Sequence, residues 1–566
     1  MRRKRFFHLH VSWFLLLLAG VGLARASYAY DAGTPAVSSG TSCTEANTAI
    51  HEYSNLIQRV KDAHPDLAEA LRLFPKGADI HNHLSGAVMP EDYFAMGQAD
   101  GDCYGPVGTD QSMYSLATAD ASGVCGKGFL PMTSAGDLDR ARVFQSLSMY
   151  QYPYPDIQQG HDQFFATFGR FGIISGMPWN IGPLLAKLLR QAQDDRVSYV
   201  ETMLSFQSQA INTLTGLLRQ KYPDNSSYQE SANFSAMYEF LVSVGLNDAV
   251  SGAQNDITQY VNRTNAVLNC GTSAPDPACS VSYAFLAAVN RNAVRDGRPD
   301  LAKIFTQTAF SMLLATKERR VVGVNLLSGE DAAISMASFP DQMRIFSFFH
   351  DKFPAANIAL HGGELTPCFV GADNPALKDH LTGSLKAGAR RVGHGVSFAY
   401  LNAADRAEVA ALMKKNDALV EIMFTSNAQI LGVAGASHPF ESYREFGVPI
   451  AFSTDDEGVS HADYTDEWIY GFLQYQLTGN DLQNLARESL EHSFISGGSL
   501  WANIGASQVV NQCAGIPPDS EILPEPCKSF LAGSAKASAQ WDLEARLAKY
   551  FQFFGKVLTR YREGEK

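Results

Sequence analysis

Two histidines, His81 and His83, close the run Lys76-Gly77-Ala78-Asp79-Ile80-His81-Asn82-His83-Leu84. The run reads as a short buried strand, and along a strand alternate side chains leave on one face. Two imidazoles pointing the same way are half of a site for a divalent cation. Three later clusters follow apolar, strand-like runs: His361-Gly362-Gly363-Glu364, Gly393-His394-Gly395 and Ser453-Thr454-Asp455-Asp456. His81, His83, His361 and Asp455 offer nitrogen and oxygen donors that suit one zinc ion with a position kept for water. Such an ion lowers the pKa of its water from about 15.7 towards roughly 7. Glu364, three residues beyond His361, is placed to hold a proton as a partly desolvated general acid. His394 is placed to orient or deprotonate the water, and Asp456 to contact substrate or pass protons. Each residue also has a plain reading: a solvated turn for Asp455-Asp456, a helix cap for Glu364, a core histidine for His361, a turn residue for His394. All of these would have to hold at once, at four strand ends in a fixed order.

The elements that must carry these groups are eight short apolar runs: Ala78–His81, Val197–Met203, Val281–Val289, Val321–Leu327, Asn357–His361, Arg391–His394, Ala418–Phe424 and Val448–Ser453. Helix-like segments separate the later ones, among them Asp341–Lys352, Leu377–Ala387 and Ala404–Lys415. Strands alternating with helices imply a parallel sheet, and eight strands close a (β/α)8 barrel of the TIM type. An open doubly wound sheet usually carries a Gly-rich phosphate loop, and this sequence has neither Gly-x-Gly-x-x-Gly nor a Walker-type loop. In the barrel the polar clusters fall at the C-terminal ends of strands one, five, six and eight, where barrel active sites are built. Residues 73–566 are assigned to the barrel. Loop or helical insertions are expected at about 100–140 and 205–280, and a C-terminal helical region at about 505–566. Ile50, Tyr53, Ile57 and Val60 recur at helical spacing, and Pro65 divides that N-terminal helical extension in two.

Residues 1–26 have the make-up of a secretory signal peptide: Arg2, Arg3, Lys4 and Arg5, an apolar run from about Val11 to Leu23, then Ala24 and Ala26. The apolar run is too short to span a bilayer. Residues 27–72 then hold a Gly/Ser/Thr/Pro-rich linker, about Asp31–Ser42, and the helical extension. The expected product is an exported protein, periplasmic or secreted, with no membrane span. The formal charge is −13, and without the first 26 residues, which hold five basic and no acidic side chains, it is −18. So acidic a surface repels a nucleic-acid polymer but not a neutral nucleoside. Eight cysteines in an exported chain suggest disulfides; proximity pairs Cys103–Cys125, Cys270–Cys279 and Cys513–Cys527. Cys43 and Cys368 are left as a long-range pair or free thiols. The oligomeric state is open, a homodimer being one expectation.

With these motifs in view, the chain resembles the adenosine deaminase family of metal-dependent amidohydrolase barrels, in particular its larger exported, growth-factor-related members. The resemblance runs from about Leu73 to Asn503 and rests on the motifs above together with Pro75, Arg391-Val392, Thr425-Ser426-Asn427 and His438-Pro439. It implies that His81, His83, His361 and Asp455 hold one zinc ion. Glu364 would protonate purine N1, His394 act on the attacking water, and Asp456 hydrogen-bond N7 and assist proton transfer. Adenosine or 2′-deoxyadenosine would give inosine or 2′-deoxyinosine and ammonia. Three departures stand out: Ser85 where many members have an acidic ribose contact, His-Gly-Gly-Glu for His-Ala-Gly-Glu, and Glu457 for a proline. The loop Leu327-Ser328-Gly329-Glu330-Asp331 resembles the turn that contacts purine N3 through Ser328 or Gly329. Other readings stay beside this one: a deaminase of adenine or another aminopurine, and a secreted adenosine-binding or signalling protein with a vestigial site. A two-metal hydrolase needs a bridging carboxylate or modified lysine on the fourth strand, whereas Val321–Leu327 offers Asn325 and no lysine.

Overall fold

The structure is a computed structural model that describes residues 43–108, 111–520 and 522–562. The signal peptide and the linker at Asp31–Ser42 fall outside the described residues. All eight expected runs are strands: β1 Gly77–His83, β2 Val197–Leu204, β3 Ser282–Asn290, β4 Val321–Leu327, β5 Asn357–Gly362, β6 Arg391–His394, β7 Leu419–Ile422 and β8 Ile450–Phe452. They lie side by side in chain order, each parallel to the next. Buried on both faces, such strands read as near-continuous apolar runs rather than alternating ones. The ring closes just past β8. Asp455 N–H donates to the His81 carbonyl at 2.9 Å, and His83 N–H donates to the Asp455 carbonyl at 3.1 Å. The fold is therefore a (β/α)8 barrel.

Helices Leu301–Lys317, Ala333–Lys352, Ala376–Lys386 and Ala403–Lys415 cover the outside of the later strands. The helix expected to begin at Asp341 begins instead at Ala333 and runs through Pro340. An interior proline normally ends a helix; here buried Phe339, Phe346 and Phe349 hold it against the barrel.

The N-terminal extension forms helices Cys43–Ala63 and Pro65–Leu73, broken at Pro65 as the sequence predicts. Ile50, Tyr53, Ile57 and Val60 are all buried. Tyr53 meets Thr425, whose hydroxyl donates to Glu467, and Lys61 pairs with Asp466 at 2.7 Å. Lys76 is fully buried and donates to the carbonyls of Leu71 and Asp195, both at 2.8 Å, so the chain enters β1 from a fixed point.

The insertion at 205–280 is helical, as expected: Ser208–Lys221, Phe234–Ser243 and Leu246–Val267. The one at 100–140 is different. Strands Met113–Ala117, Cys103–Val107 and Leu130–Pro131 make a small antiparallel sheet before helix Asp137–Leu147. The Gly-Pro-containing Cys103–Val107 run is too short and irregular to signal a strand by period alone; cross-strand pairing and the Cys103–Cys125 bridge define it. The C-terminal region likewise starts with a hairpin, Trp501–Asn503 with Gln508–Val509, before helices Cys527–Gly533 and Ala535–Arg562. All three proximity pairs are disulfides: Cys103–Cys125, Cys270–Cys279 and Cys513–Cys527. Cys368 is also disulfide-bonded, which removes the free-thiol alternative for it. The side chain of Cys43 lies outside the described set.

Glu467 accepts the N–H groups of Phe424 and Thr425 at 2.5 and 2.9 Å, and burial pushes its carboxyl up to about 8. Because the folded value is the higher one, the stability it contributes is whole below the ordinary glutamate range and is lost as pH rises through about 8. Thermal denaturation should give a lower Tm at pH 9 than at pH 5, and Glu467→Gln should flatten part of that fall.

Candidate active site

The site lies at the C-terminal rim of the barrel. β1 ends in His81 and His83, β5 carries His361, β6 ends in His394, and Asp455 and Asp456 follow β8. The rings of His81 and His361 stand 4.5 Å apart between centroids, those of His83 and His361 5.2 Å, and those of His81 and His83 5.4 Å. Asp455 collects them: its Oδ1 is 3.2 Å from His83 Nε2 and 3.6 Å from His81 Nε2, and its Oδ2 is 3.8 Å from His394 Nε2. One donor atom from each of His81, His361, His394 and Asp455 lies within 4.8 Å of the others, and so do atoms of His83, Asp455 and Asp456. His394 thus stands as near to the cluster as His83 does. His394 and Asp455 both have left-handed backbones, with φ of 70° and 58°, a conformation that costs energy and collects at functional sites. Gly393 makes room for the cluster: a Cβ there would lie 2.5 Å from the His81 ring.

Two of the rings are held from behind. His81 Nδ1 donates to Glu421 Oε2 at 2.6 Å, and His361 Nδ1 donates to Asn325 Oδ1 at 2.7 Å. In neutral rings this leaves the Nε2 lone pairs facing inward, and His81 Nε2 is buried without a hydrogen-bond partner. Against the burial that lowers it, Glu421 and Asp455 hold His81 up at about 10, an attraction that a cation at Nε2 would share. Burial among the other imidazoles drives His361 well below the usual range and His394 down to about 3. His81, His83, His361 and Asp455 therefore fit a divalent cation in donor type, orientation and charge.

Glu364 sits on a second buried frame. Glu330 accepts the N–H groups of Gly363 and Glu364 at 3.2 and 2.6 Å and takes a bond from His380 Nδ1 at 2.7 Å. Arg291 pairs with Glu330 at 3.3 Å and donates to the His361 carbonyl at 2.6 Å. Against burial, Arg291 and His380 hold Glu330 down at about 2. Glu364 goes the other way: burial, then Asp455 and Glu330, raise it well above the carboxylate range, which favours its protonated form. Asp456 is raised too, by burial and by Asp455, and packs so tightly on Gly86 that a side chain there would overlap its carboxylate.

A cavity of about 730 Å³ opens onto His83, His361, Glu364, His394, Asp455 and Asp456. Ser85 and Ser328 line it as well; Gly329 does not, its carbonyl accepting instead from Asn292 at 2.9 Å. One wall is aromatic, from Phe164, Phe165 and Phe168 on helix Ile157–Ser175. The far end reaches Gln207, Asp256 and Tyr260. Among the described lining residues there is no lysine or arginine. Sequence reasoning had not singled out Glu421, Glu330, Arg291 or the phenylalanines; a carboxylate inside the apolar run Ala418–Phe424 was the one available signal.

Residues 266–499 match the family described as adenosine deaminase. Over that stretch, from the approach to β3 to just past β8, the chain is similar to the adenosine deaminase family. It is 30% identical to the adenosine deaminase of Enterococcus faecalis over 186 residues, which is 32% of this chain and 48% of that protein. To the Lactococcus lactis adenosine deaminase it is 28% identical over 172 residues, 30% of this chain and 45% of that one. The chain thus spans about half the length of the curated relatives it matches. The N6-methyl-AMP deaminase of Arabidopsis thaliana aligns in structure at 15% identity and a TM-score of 0.45, over 76% of this chain and 94% of that one.

Glu421→Gln should weaken binding of a divalent transition-metal ion by roughly 10- to 100-fold, as loss of a carboxylate behind a ligating imidazole does. Competition with a chromophoric chelator measures it; unchanged affinity would mean that His81 is not a ligand.

Proposed function

We propose that this protein hydrolyses the C6–N bond of adenosine and 2′-deoxyadenosine, giving inosine or 2′-deoxyinosine and ammonia. The observation that carries the reading is Glu364, a buried carboxyl held protonated on the Glu330 frame and opening into the same cavity as the histidine–Asp455 cluster. A neutral carboxylic acid beside the four potential metal ligands suits protonation of a ring nitrogen at the atom where charge develops.

His81, His83, His361 and Asp455 would hold one zinc ion. When bound, zinc supplies a Lewis acid that makes water nucleophilic at neutral pH. Glu364 gives its proton to N1, which makes C6 electrophilic. Asp456, which burial and the adjoining Asp455 push toward its protonated form, donates to N7 and orients the purine. His394, whose Nε2 lies 3.8 Å from Asp455 Oδ2, would act on the attacking water. Addition at C6 gives a tetrahedral carbon, and its collapse releases ammonia. The water's two protons end on N1, through Glu364, and on the departing ammonia.

The charge of the cavity supports a nucleoside over a nucleotide. Its titratable groups, apart from the Tyr260 phenol, are the carboxyls of Glu364, Asp455, Asp456 and Asp256 with the imidazoles, and a phosphate would find no guanidinium or ammonium to pair with. The cavity's volume exceeds what a free base needs, which favours adenosine over adenine. Ser85 at the rim leaves ribose recognition to hydroxyl and amide groups. The disulfides support an exported protein, and no helix among the described residues is long and apolar enough to cross a membrane.

An ultraviolet substrate panel with zinc-loaded protein should show turnover of adenosine and 2′-deoxyadenosine, with AMP poorer by at least about a hundredfold in kcat/KM. Turnover of adenine alone, or nucleoside binding without ammonia release, would overturn the reading. Glu364→Gln should retain the metal and lose at least about a hundredfold in kcat; near-normal turnover would show that the acid lies elsewhere.

A further inference from the structure

Two motifs, Thr425-Ser426-Asn427 and His438-Pro439, have no part in the chemistry so far. Asn427 and His438 are both buried, and they form a line of hydrogen bonds that ends at His394. Phe440 N–H donates to His438 Nδ1 at 3.2 Å. A backbone N–H can only donate, so that nitrogen carries a lone pair. Burial, with His394 nearby, pushes the His438 ring down to about 3; the ring is neutral and its single proton sits on Nε2. Nε2 lies 3.1 Å from Asn427 Oδ1, donor to acceptor. The Asn427 amide is thereby oriented, with its Nδ2 facing His394 Nδ1 at 2.9 Å. An amide N–H also only donates. His394 Nδ1 is therefore the acceptor, and the proton of the neutral ring is on Nε2, which is buried without a hydrogen-bond partner and faces Asp455.

We propose that His438 and Asn427 are positioning residues that set the tautomer of His394, so that it meets the attacking water as an Nε2–H donor. This rests on the reading of His394 as the water-facing group. In that form His394 gives a hydrogen bond to the water's oxygen and does not take its proton. Of the two roles that the sequence left open, orientation or deprotonation, the hydrogen-bond line selects orientation. Its fixed end is a backbone N–H, which cannot reverse, so each later member has one available direction.

The arrangement can be reversed by an isosteric change. Asn427→Asp sets an acceptor against both rings, so His394 must donate from Nδ1 and its Nε2 loses the hydrogen. His438→Leu removes the group that orients Asn427, whereas His438→Gln keeps a donor there. The test is 15N spectroscopy of the full-length protein labelled in its histidines, the His394 signals being those absent from His394→Gln. The wild-type protein and His438→Gln should show the proton on Nε2, Asn427→Asp on Nδ1, and His438→Leu a mixture. In adenosine assays Asn427→Asp should lose roughly a hundredfold in kcat with KM little changed, and His438→Gln should recover most of what His438→Leu loses. A wild-type ring protonated on Nδ1, or a tautomer that is the same in all variants, overturns the proposal. The predicted tautomers in a protein without deaminase activity would support the proposal and overturn the deaminase reading instead.

Discussion

Asp455 holds both the barrel and the site. Its backbone closes the seam between β8 and β1 through the His81 carbonyl and the His83 N–H, and its side chain faces three imidazoles from the rim. The left-handed backbone at this residue lets one amino acid do both. Because the His81–His83 segment is hydrogen-bonded to Asp455 through its main chain, the separation of these side chains is set by β-sheet geometry rather than by side-chain packing. A site on strand ends joined in this way is more rigid than one on loops.

Beneath the rim the barrel is charged, and its charges come in matched sets. Arg391 pairs with Glu201 and Glu421, each at 2.7 Å, with all three side chains fully buried, and Glu421 passes the connection on to His81. On the other side Arg291, Glu330 and His380 hold the turn that carries Glu364. Removing one member of such a set leaves an uncompensated buried charge, at a cost of about 3–5 kcal/mol. The return is directional: a carboxylate behind an imidazole fixes which nitrogen faces the site. The same buried surroundings sort the carboxyls, keeping Glu330 ionised against its arginine and Glu364 protonated beside Asp455.

The adenosine deaminase match begins at residue 266, within the approach to β3, and ends at 499. His361, Glu364, His394, Asp455 and Asp456 fall inside it; His81, His83 and Ser85 do not. The barrel unites the two groups, since β1 is the neighbour of β8 only once the ring has closed. Between them, helix Ile157–Ser175 supplies the aromatic wall and helix Leu246–Val267 supplies Asp256 and Tyr260 at the far end. The chain's own character, and the shape of its cavity, lie in these segments.

Much of the fold is legible in the sequence. Strands buried on both faces must be apolar throughout, so eight runs such as Val321–Leu327 announced the barrel, and polar residues where those runs end announced the site. His81, His83, His361, Glu364, His394, Asp455 and Asp456 stand out in the sequence this way, because polar groups at a strand end interrupt a pattern, and the barrel brings them to one rim. Glu421, Glu330, Arg291 and Asn325 do not, and the hydrogen-bond partners of their side chains are 33 to 340 residues away. A buried charge leaves no local mark that tells it from a surface one; its partner is a matter of which strands become neighbours. Likewise the sequence named His394 but could not say which nitrogen carries its proton. That depends on Asn427, His438 and a backbone N–H at Phe440, and only folding brings them into line, because the direction of a hydrogen bond is a property of neighbours in space.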